Sequence, residues 1–151
     1  MTNPAQSAQS APSDPLFLLW QDGPYPHLLG VFSSLRAAHA ARAGDWRADD
    51  SGWSRPASRR HPSARQFRVE LRRLADATTF QSGDTLHLLW GAGRRSERLL
   101  GIFASIEGAQ AAQPGQWFER DGAPGWTNQT VLGARAPQFT LDPVILDGRV
   151  A

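Results

Sequence analysis

Histidine and cysteine are the residues from which metal and nucleophile chemistry would first be expected. The chain of 151 residues contains no cysteine, which excludes disulfides, thiolate zinc sites and cysteine nucleophiles. The four histidines do not form HExxH or any other metal-ligand spacing. They are His27, His39, His61 and His87. We therefore expect ordinary histidines, and neither a metal nor a cofactor.

The serines and glycines lack the patterns of nucleophilic or phosphate chemistry. A serine nucleophile needs a base and an orienting third group, and no GxSxG motif occurs. The stretch GAGRRSE from Gly91 resembles the start of a phosphate loop, but we expect it in a hairpin turn that opens no helix. Ser33, Ser34 and Ser105 each precede an alanine-rich segment, which favours a role as helix N-caps.

Two carboxylates, Glu70 and Asp142, occupy equivalent positions in a repeated segment. A pseudo-two-fold axis could bring them together as an acid/base pair. Strand alternation instead places them on the polar faces beside Arg68 and Thr140, where solvated charges are expected. We therefore predict a protein that is not an enzyme, and keep an enzyme with an unrecognised site as an alternative.

Tryptophan is abundant, with six in the chain. Trp20 and Trp90 end apolar strands, so we expect them in the core. The other four form two pairs, each around an acidic, glycine-containing turn. They could cover a helix that is poor in bulky residues, or they could form an exposed platform of the kind found at binding hot spots. These candidate binding residues are Trp46, Trp53, Trp117 and Trp126.

Every one of the 16 basic residues is arginine, and the net charge is only +2. Arginine in place of lysine, with abundant alanine and glycine, indicates a bacterial or phage gene of high GC content. The segment RPASRRHPSAR, residues 55–65, is either a solvated loop or a binding site for an anionic protein or nucleic acid. Its candidate binding residues are Arg55, Arg59, Arg60 and Arg65.

A duplication defines the elements that must position these residues. LFLLWQDGPYPHLLGVFSS, residues 16–34, matches LHLLWGAGRRSERLLGIFAS, residues 86–105. Each copy predicts a hairpin, a short helix, a segment bearing two tryptophans as a loop or short hairpin, and a final strand. We predict an α+β fold in which two β-β-α-β repeats form a pseudo-two-fold, mainly antiparallel sheet with one short helix per repeat.

The domain organisation follows from the repeat. We expect a disordered tail over residues 1–13, repeat 1 over 14–76, a linker over 77–83 and repeat 2 over 84–148. Each repeat is marginal in size for independent stability, so the two are expected to share one core or one continuous sheet.

The pattern LLW…LLGVFSS…AA.AA…W, followed by a QFRVELRRL-type strand, resembles a family of small uncharacterised bacterial domains. The resemblance covers roughly 14–76 and 84–148. It implies a fold and no activity, because that family has no assigned activity.

By elimination, these observations favour a non-catalytic binding protein, such as a bacterial inhibitor, an immunity-type protein or an accessory factor. It would act through protein–protein interaction, with tryptophan anchors and an arginine rim. The alternative is a nucleic-acid-binding module that uses the arginine-rich segment. We expect a cytoplasmic protein without membrane association, either a monomeric pseudo-dimer or a homodimer.

Overall fold

The computed structural model describes residues 14–49, 52–58, 61–92, 97–129 and 138–149. The predicted tail, residues 1–13, lies outside this part of the chain. The first half of the molecule contains six elements in this order: β1 (Pro15–Gln21), β2 (His27–Phe32), α1 (Leu35–Ala41), β3 (Arg47–Asp49), β4 (Gly52–Ser58) and β5 (His61–Arg73).

The second half contains the same types of element in the same order. They are β6 (Thr85–Ala92), β7 (Glu97–Phe103), α2 (Ile106–Ala112), β8 (Gln116–Glu119), β9 (Trp126–Gln129) and β10 (Gln138–Ile145).

The fold is of the mixed α+β class, with two antiparallel sheets of five strands. The strand orders are β2-β1-β5-β4-β3 and β7-β6-β10-β9-β8. One detail differs from the prediction, because each half has its own sheet and the halves do not build one continuous sheet. The tryptophan-bearing segments form short hairpins, β3–β4 and β8–β9, which was one of the two forms predicted for them. The second strand of each hairpin pairs with β5 or β10, so the simple β-β-α-β unit is not confirmed.

The two helices are short and begin at the predicted serines. The Ser34 hydroxyl accepts a hydrogen bond from the backbone N–H of Ala37 at 3.1 Å, and Ser105 does the same for Gly108 at 3.0 Å. Each helix has seven residues and one buried alanine, Ala38 or Ala109. A methyl group at this position lets the helix lie close to its sheet, which leaves much of the sheet for other side chains to cover.

The main core lies between the two sheets and draws on both halves. Leu16, Leu18 and Trp20 of β1 belong to the same buried cluster as Leu86 and Trp90 of β6. The rings of Trp20 and Trp90 meet edge to face, with centroids 6.0 Å apart. This confirms the expectation that these two tryptophans are core residues. A smaller apolar cluster lies on the opposite face of each sheet, where the helix packs. The molecule is thus layered as helix, sheet, sheet, helix.

The polar face of β5 points towards the other half. Phe67 and Val69 lie beneath α1, whereas Arg68, Glu70 and Arg72 pair across from Trp20, Leu18 and Leu16 on the inner face. Their side chains are only 26%, 28% and 33% exposed. The expectation of a solvated charge is therefore met only in part by Glu70, which is half-buried. Alternation identifies two faces of a strand but does not tell which face a second sheet will cover.

Reciprocal backbone hydrogen bonds tie the halves together. The N–H of Ala75, just after β5, donates to the carbonyl oxygen of Ile102 in β7 at 2.9 Å. The N–H of Asp147, just after β10, donates to the carbonyl oxygen of Val31 in β2, also at 2.9 Å. The segment predicted as a linker packs Ala77 and Phe80 against the shared core. Within the described ranges, no helix is long and apolar enough to cross a membrane.

Candidate functional site

Trp46 and Trp117 close the C-terminal ends of the two helices. The indole Nε1 of Trp46 donates to the carbonyl oxygen of Arg42 at 2.9 Å, and that of Trp117 donates to the carbonyl oxygen of Gln113 at 3.0 Å. The last carbonyls of a helix have no partner within the helix, so these bonds satisfy groups that would otherwise need water. The identical spacing of four residues in both copies is the sequence signal for this role.

Trp53 and Trp126 lie on β4 and β9 and cover the outer faces of the sheets. Trp53 pairs across from Val69 of β5, and Trp126 pairs across from Leu141 of β10. Both are partly buried against the cluster beneath their helix. Neither indole Nε1 donates a hydrogen bond to any residue that the structure describes.

His39 completes an aromatic layer in the first half. Its ring stacks on Trp46 with centroids 4.5 Å apart and an interplanar angle of 14°, and it meets Trp53 edge-on at 6.5 Å. Burial lowers the pKa of His39 below its usual value, which favours the neutral ring. Sequence reasoning missed this role. The only signal was that His39 aligns with Gln110, which has no aromatic ring.

Two arginines lie over the ring of Phe67 in β5, near the C-terminal end of α1. The guanidinium carbon of Arg55 is 5.2 Å from the Phe67 ring centroid, and that of Arg42 is 5.7 Å away. Arg55 also donates to Oε1 of Gln66 at 3.4 Å. No carboxylate in the described segments forms an ion pair with Arg55. We call Arg42, Trp46, Trp53 and Arg55 the arginine–tryptophan face.

The second half fills the corresponding positions without charge. Strand register aligns Arg55, opposite Phe67, with Asn128, opposite Phe139. Asn128 is fully buried, and its Nδ2 donates to the carbonyl oxygen of Gln113 at 2.9 Å. Gln113 is itself the counterpart of Arg42. The same place in the fold thus holds a neutral internal bond in one half and two cations in the other.

The structure covers the remaining predicted arginines only in part. The backbone of Arg65 lies in β5 and pairs with Pro56 of β4. Arg59 and Arg60 lie outside the described residues. Of the predicted set, the fold therefore brings together Trp46, Trp53 and Arg55, and it places Trp117 and Trp126 on the opposite side of the layered molecule, under the other helix.

The two equivalent carboxylates are engaged by arginines of their own halves. Glu70 accepts from Nε of Arg72 at 2.7 Å and lies 3.6 Å from Nη1 of Arg68. Asp142 accepts from Arg120 at 2.8 Å. Both carboxylates therefore serve as ion-pair partners of neighbouring arginines. The described part of the chain contains no group of three or more residues that could hold a metal ion.

The chain was compared with known protein families, curated proteins and solved structures. No family model, curated protein or solved structure matches this chain.

Proposed function

We propose that this is a non-catalytic binding protein whose arginine–tryptophan face engages an acidic surface on a protein partner. The observation that carries the proposal is the pair of guanidinium groups over Phe67 at 5.2 and 5.7 Å, in a place where the other half is neutral. An inhibitor, an immunity-type protein or an accessory factor would act in this way, by occupying a surface of its partner.

The second half acts as an internal control for what the fold itself requires. Gln113 and Asn128 show that the end of the helix can be closed with a neutral amide. Arginines at the positions of Arg42 and Arg55 are thus not needed to close the C-terminal end of the helix. Stacking on an aromatic ring restrains an arginine, and planar guanidinium groups suit carboxylates. Both properties favour recognition of acidic side chains.

The tryptophans would contribute unequally. The donor of Trp46 is used within the protein, so Trp46 supplies a fixed aromatic wall and little hydrogen bonding. Trp53 keeps its donor, and it lies two residues before Arg55 on the same face of β4. A restrained indole loses little conformational entropy on binding, which is the property of a hot-spot residue. Trp53 is therefore the expected anchor, and the two arginines its charged rim.

The test is a pull-down from the native host with paired variants. The double variant Arg42→Gln and Arg55→Asn gives the first half the residues of the second half. Its matched control, Arg36→Gln with Arg149→Gln, removes the same charge from exposed positions. We expect one stoichiometric protein partner with the wild type and the control, and its loss with the first variant.

Two outcomes would contradict the proposal. One is a partner that the double variant retains as well as the control does. The other is recovery of nucleic acid alone, with an affinity that falls steeply with salt. That second outcome would support the alternative of nucleic-acid binding through Arg55, Arg59, Arg60 and Arg65.

A further inference from the structure

A cavity of about 240 Å³ opens between the two halves, away from the arginine–tryptophan face. The first half contributes side chains of β1 and β5, and the second half contributes the start of β7. The residues that line the cavity include Trp20, Arg68, Glu70, Arg72, Arg98 and Leu99.

The arginines of β5 are held rigidly in this cavity. Nε of Arg68 donates to Asp22 at 2.8 Å, and its guanidinium carbon lies 4.9 Å from the centroid of the Trp20 ring. Arg72 donates through Nε to Glu70 at 2.7 Å and through Nη1 to the carbonyl oxygen of Leu99 at 3.1 Å. The cavity wall is thus fixed by bonds within one half and between the halves.

Arg98, at the rim of the cavity, differs from Arg68 and Arg72 in that no such bonds fix it among the described residues. It is exposed, and no carboxylate among the residues that the structure describes forms an ion pair with it. Three guanidinium groups line the cavity, and two of them, those of Arg68 and Arg72, pair with the carboxylates of Asp22 and Glu70. Arg98 is thus the cation of the described lining that suits an anionic ligand. A free guanidinium binds a carboxylate through two parallel hydrogen bonds.

The same positions in the other half show that the fold does not require these cations. Arg68, opposite Trp20, corresponds to Thr140, opposite Trp90. Arg72 corresponds to Val144, which packs against the shared core. Half-burying two guanidinium groups costs desolvation that a valine avoids. The charged version of this strand is therefore better explained by a ligand than by stability.

We propose that the cavity binds a small organic carboxylate. Arg98 pairs with the carboxylate group, and the apolar body of the ligand lies against Trp20 and Leu99. The volume is just below the usual range of ligand pockets, which restricts the ligand to a small molecule. Because this cavity lies between the sheets, the site is independent of the protein-binding function proposed above.

Benzoate is a suitable probe, with benzamide as its neutral analogue of nearly the same shape. We expect saturable binding of benzoate at one site by calorimetry, with a change in tryptophan fluorescence that Trp20→Phe reduces. Benzamide and inorganic phosphate should bind at least about tenfold more weakly, because each lacks either the charge or the apolar body.

Two variants separate ligand binding from a purely structural ion-pair network. Arg98→Gln changes an exposed residue, so the thermal unfolding midpoint should stay unchanged while benzoate affinity falls at least about tenfold. Arg72→Val copies the second half and should weaken binding in the same direction, whereas Arg36→Gln should not change it. Absence of saturable binding at millimolar benzoate, equal affinity for benzamide or phosphate, or undiminished affinity in Arg98→Gln would overturn the proposal.

Discussion

The carboxylate of Asp147 accepts two hydrogen bonds from Ser33, which precedes it by 114 residues. The backbone N–H of Ser33 donates at 2.8 Å and its hydroxyl at 2.6 Å. Asp76 of the first half makes the equivalent contacts with the second half. It accepts hydrogen bonds from the backbone N–H of Ala104 at 2.6 Å and from the hydroxyl of Ser105 at 2.8 Å. The segment that leads into each helix is thus fixed by an aspartate of the opposite half.

Removal of either aspartate side chain should destabilise the whole molecule. Asp147→Ala leaves the N–H and hydroxyl of Ser33 without their acceptor, and Asp76→Ala does the same for Ala104 and Ser105. We expect a loss of about 1–2 kcal/mol in the free energy of unfolding for each variant, measured by urea denaturation. Asp121→Ala, at an exposed turn, is the matched control and should change it little. A loss in the control as large as in the two variants would contradict this role.

Acid should weaken the same contacts. Burial alone would raise the pKa of Asp76 and of Asp147, but the hydrogen bonds donated to each carboxylate outweigh it, and both pKa values fall below the usual range. Protonation is therefore easier in the unfolded chain. This part of the stability is complete above about pH 4 and is lost as the pH falls through the lowered pKa values.

The measurement is the free energy of unfolding between pH 5 and pH 2. We expect the double variant Asp76→Asn with Asp147→Asn to show a shallower decline than the wild type over this range. Parallel curves for the two proteins would show that other carboxylates cause the acid sensitivity.

His39 should contribute a second pH dependence, closer to neutrality. Burial lowers its pKa, so protons bind more readily to the unfolded chain as the pH falls below about 6.5. Burial also lowers the pKa of His87, against a smaller opposing effect of Asp76 and Glu107. The free energy of unfolding should thus fall from pH 7 to pH 5. His39→Gln, which copies the second half, should remove part of that slope, and an unchanged slope would contradict the burial of a neutral ring.

The capping role of the tryptophans predicts an order of stabilities among single variants. Trp46→Phe removes the donor to the Arg42 carbonyl and should cost about 1 kcal/mol more than Trp53→Phe, which breaks no hydrogen bond in the described structure. Trp117→Phe should cost less than Trp46→Phe, because Asn128 also donates to the Gln113 carbonyl. Thermal and urea unfolding of the three variants tests the order, and equal losses in Trp46→Phe and Trp53→Phe would contradict it.

The local elements could be predicted because their signals are local. Alternating apolar residues, a glycine turn and a serine before an alanine-rich stretch predict the hairpins and the N-caps Ser34 and Ser105, which the structure confirms. For the tryptophan-bearing segments a loop and a short hairpin both stayed open, because β3, β4, β8 and β9 carry few β-branched residues. Their positions depend on pairing with β5 and β10, which is a tertiary property.

The candidate cavity could not be predicted for the same reason. Arg68, Glu70 and Arg72 form an ordinary polar face of a strand in the sequence, and only the opposite sheet makes that face an interior wall. The signal that could have located the site was the difference between the copies, because Val144 stands where Arg72 does. Comparison of unlike positions in a duplicated chain is thus informative about function even when the shared positions describe only the fold.

The backbone hydrogen bonds between the halves, from Ala75 to Ile102 and from Asp147 to Val31, have a consequence for synthesis on the ribosome. When the first repeat has emerged, its strand β2 still lacks the backbone partner that Asp147 supplies, and its inner face still exposes Leu16 and Leu18. Completion of the first half must therefore wait until nearly the whole second half has left the exit tunnel. During that interval the nascent chain presents an uncovered apolar sheet, which is the kind of surface that chaperones bind.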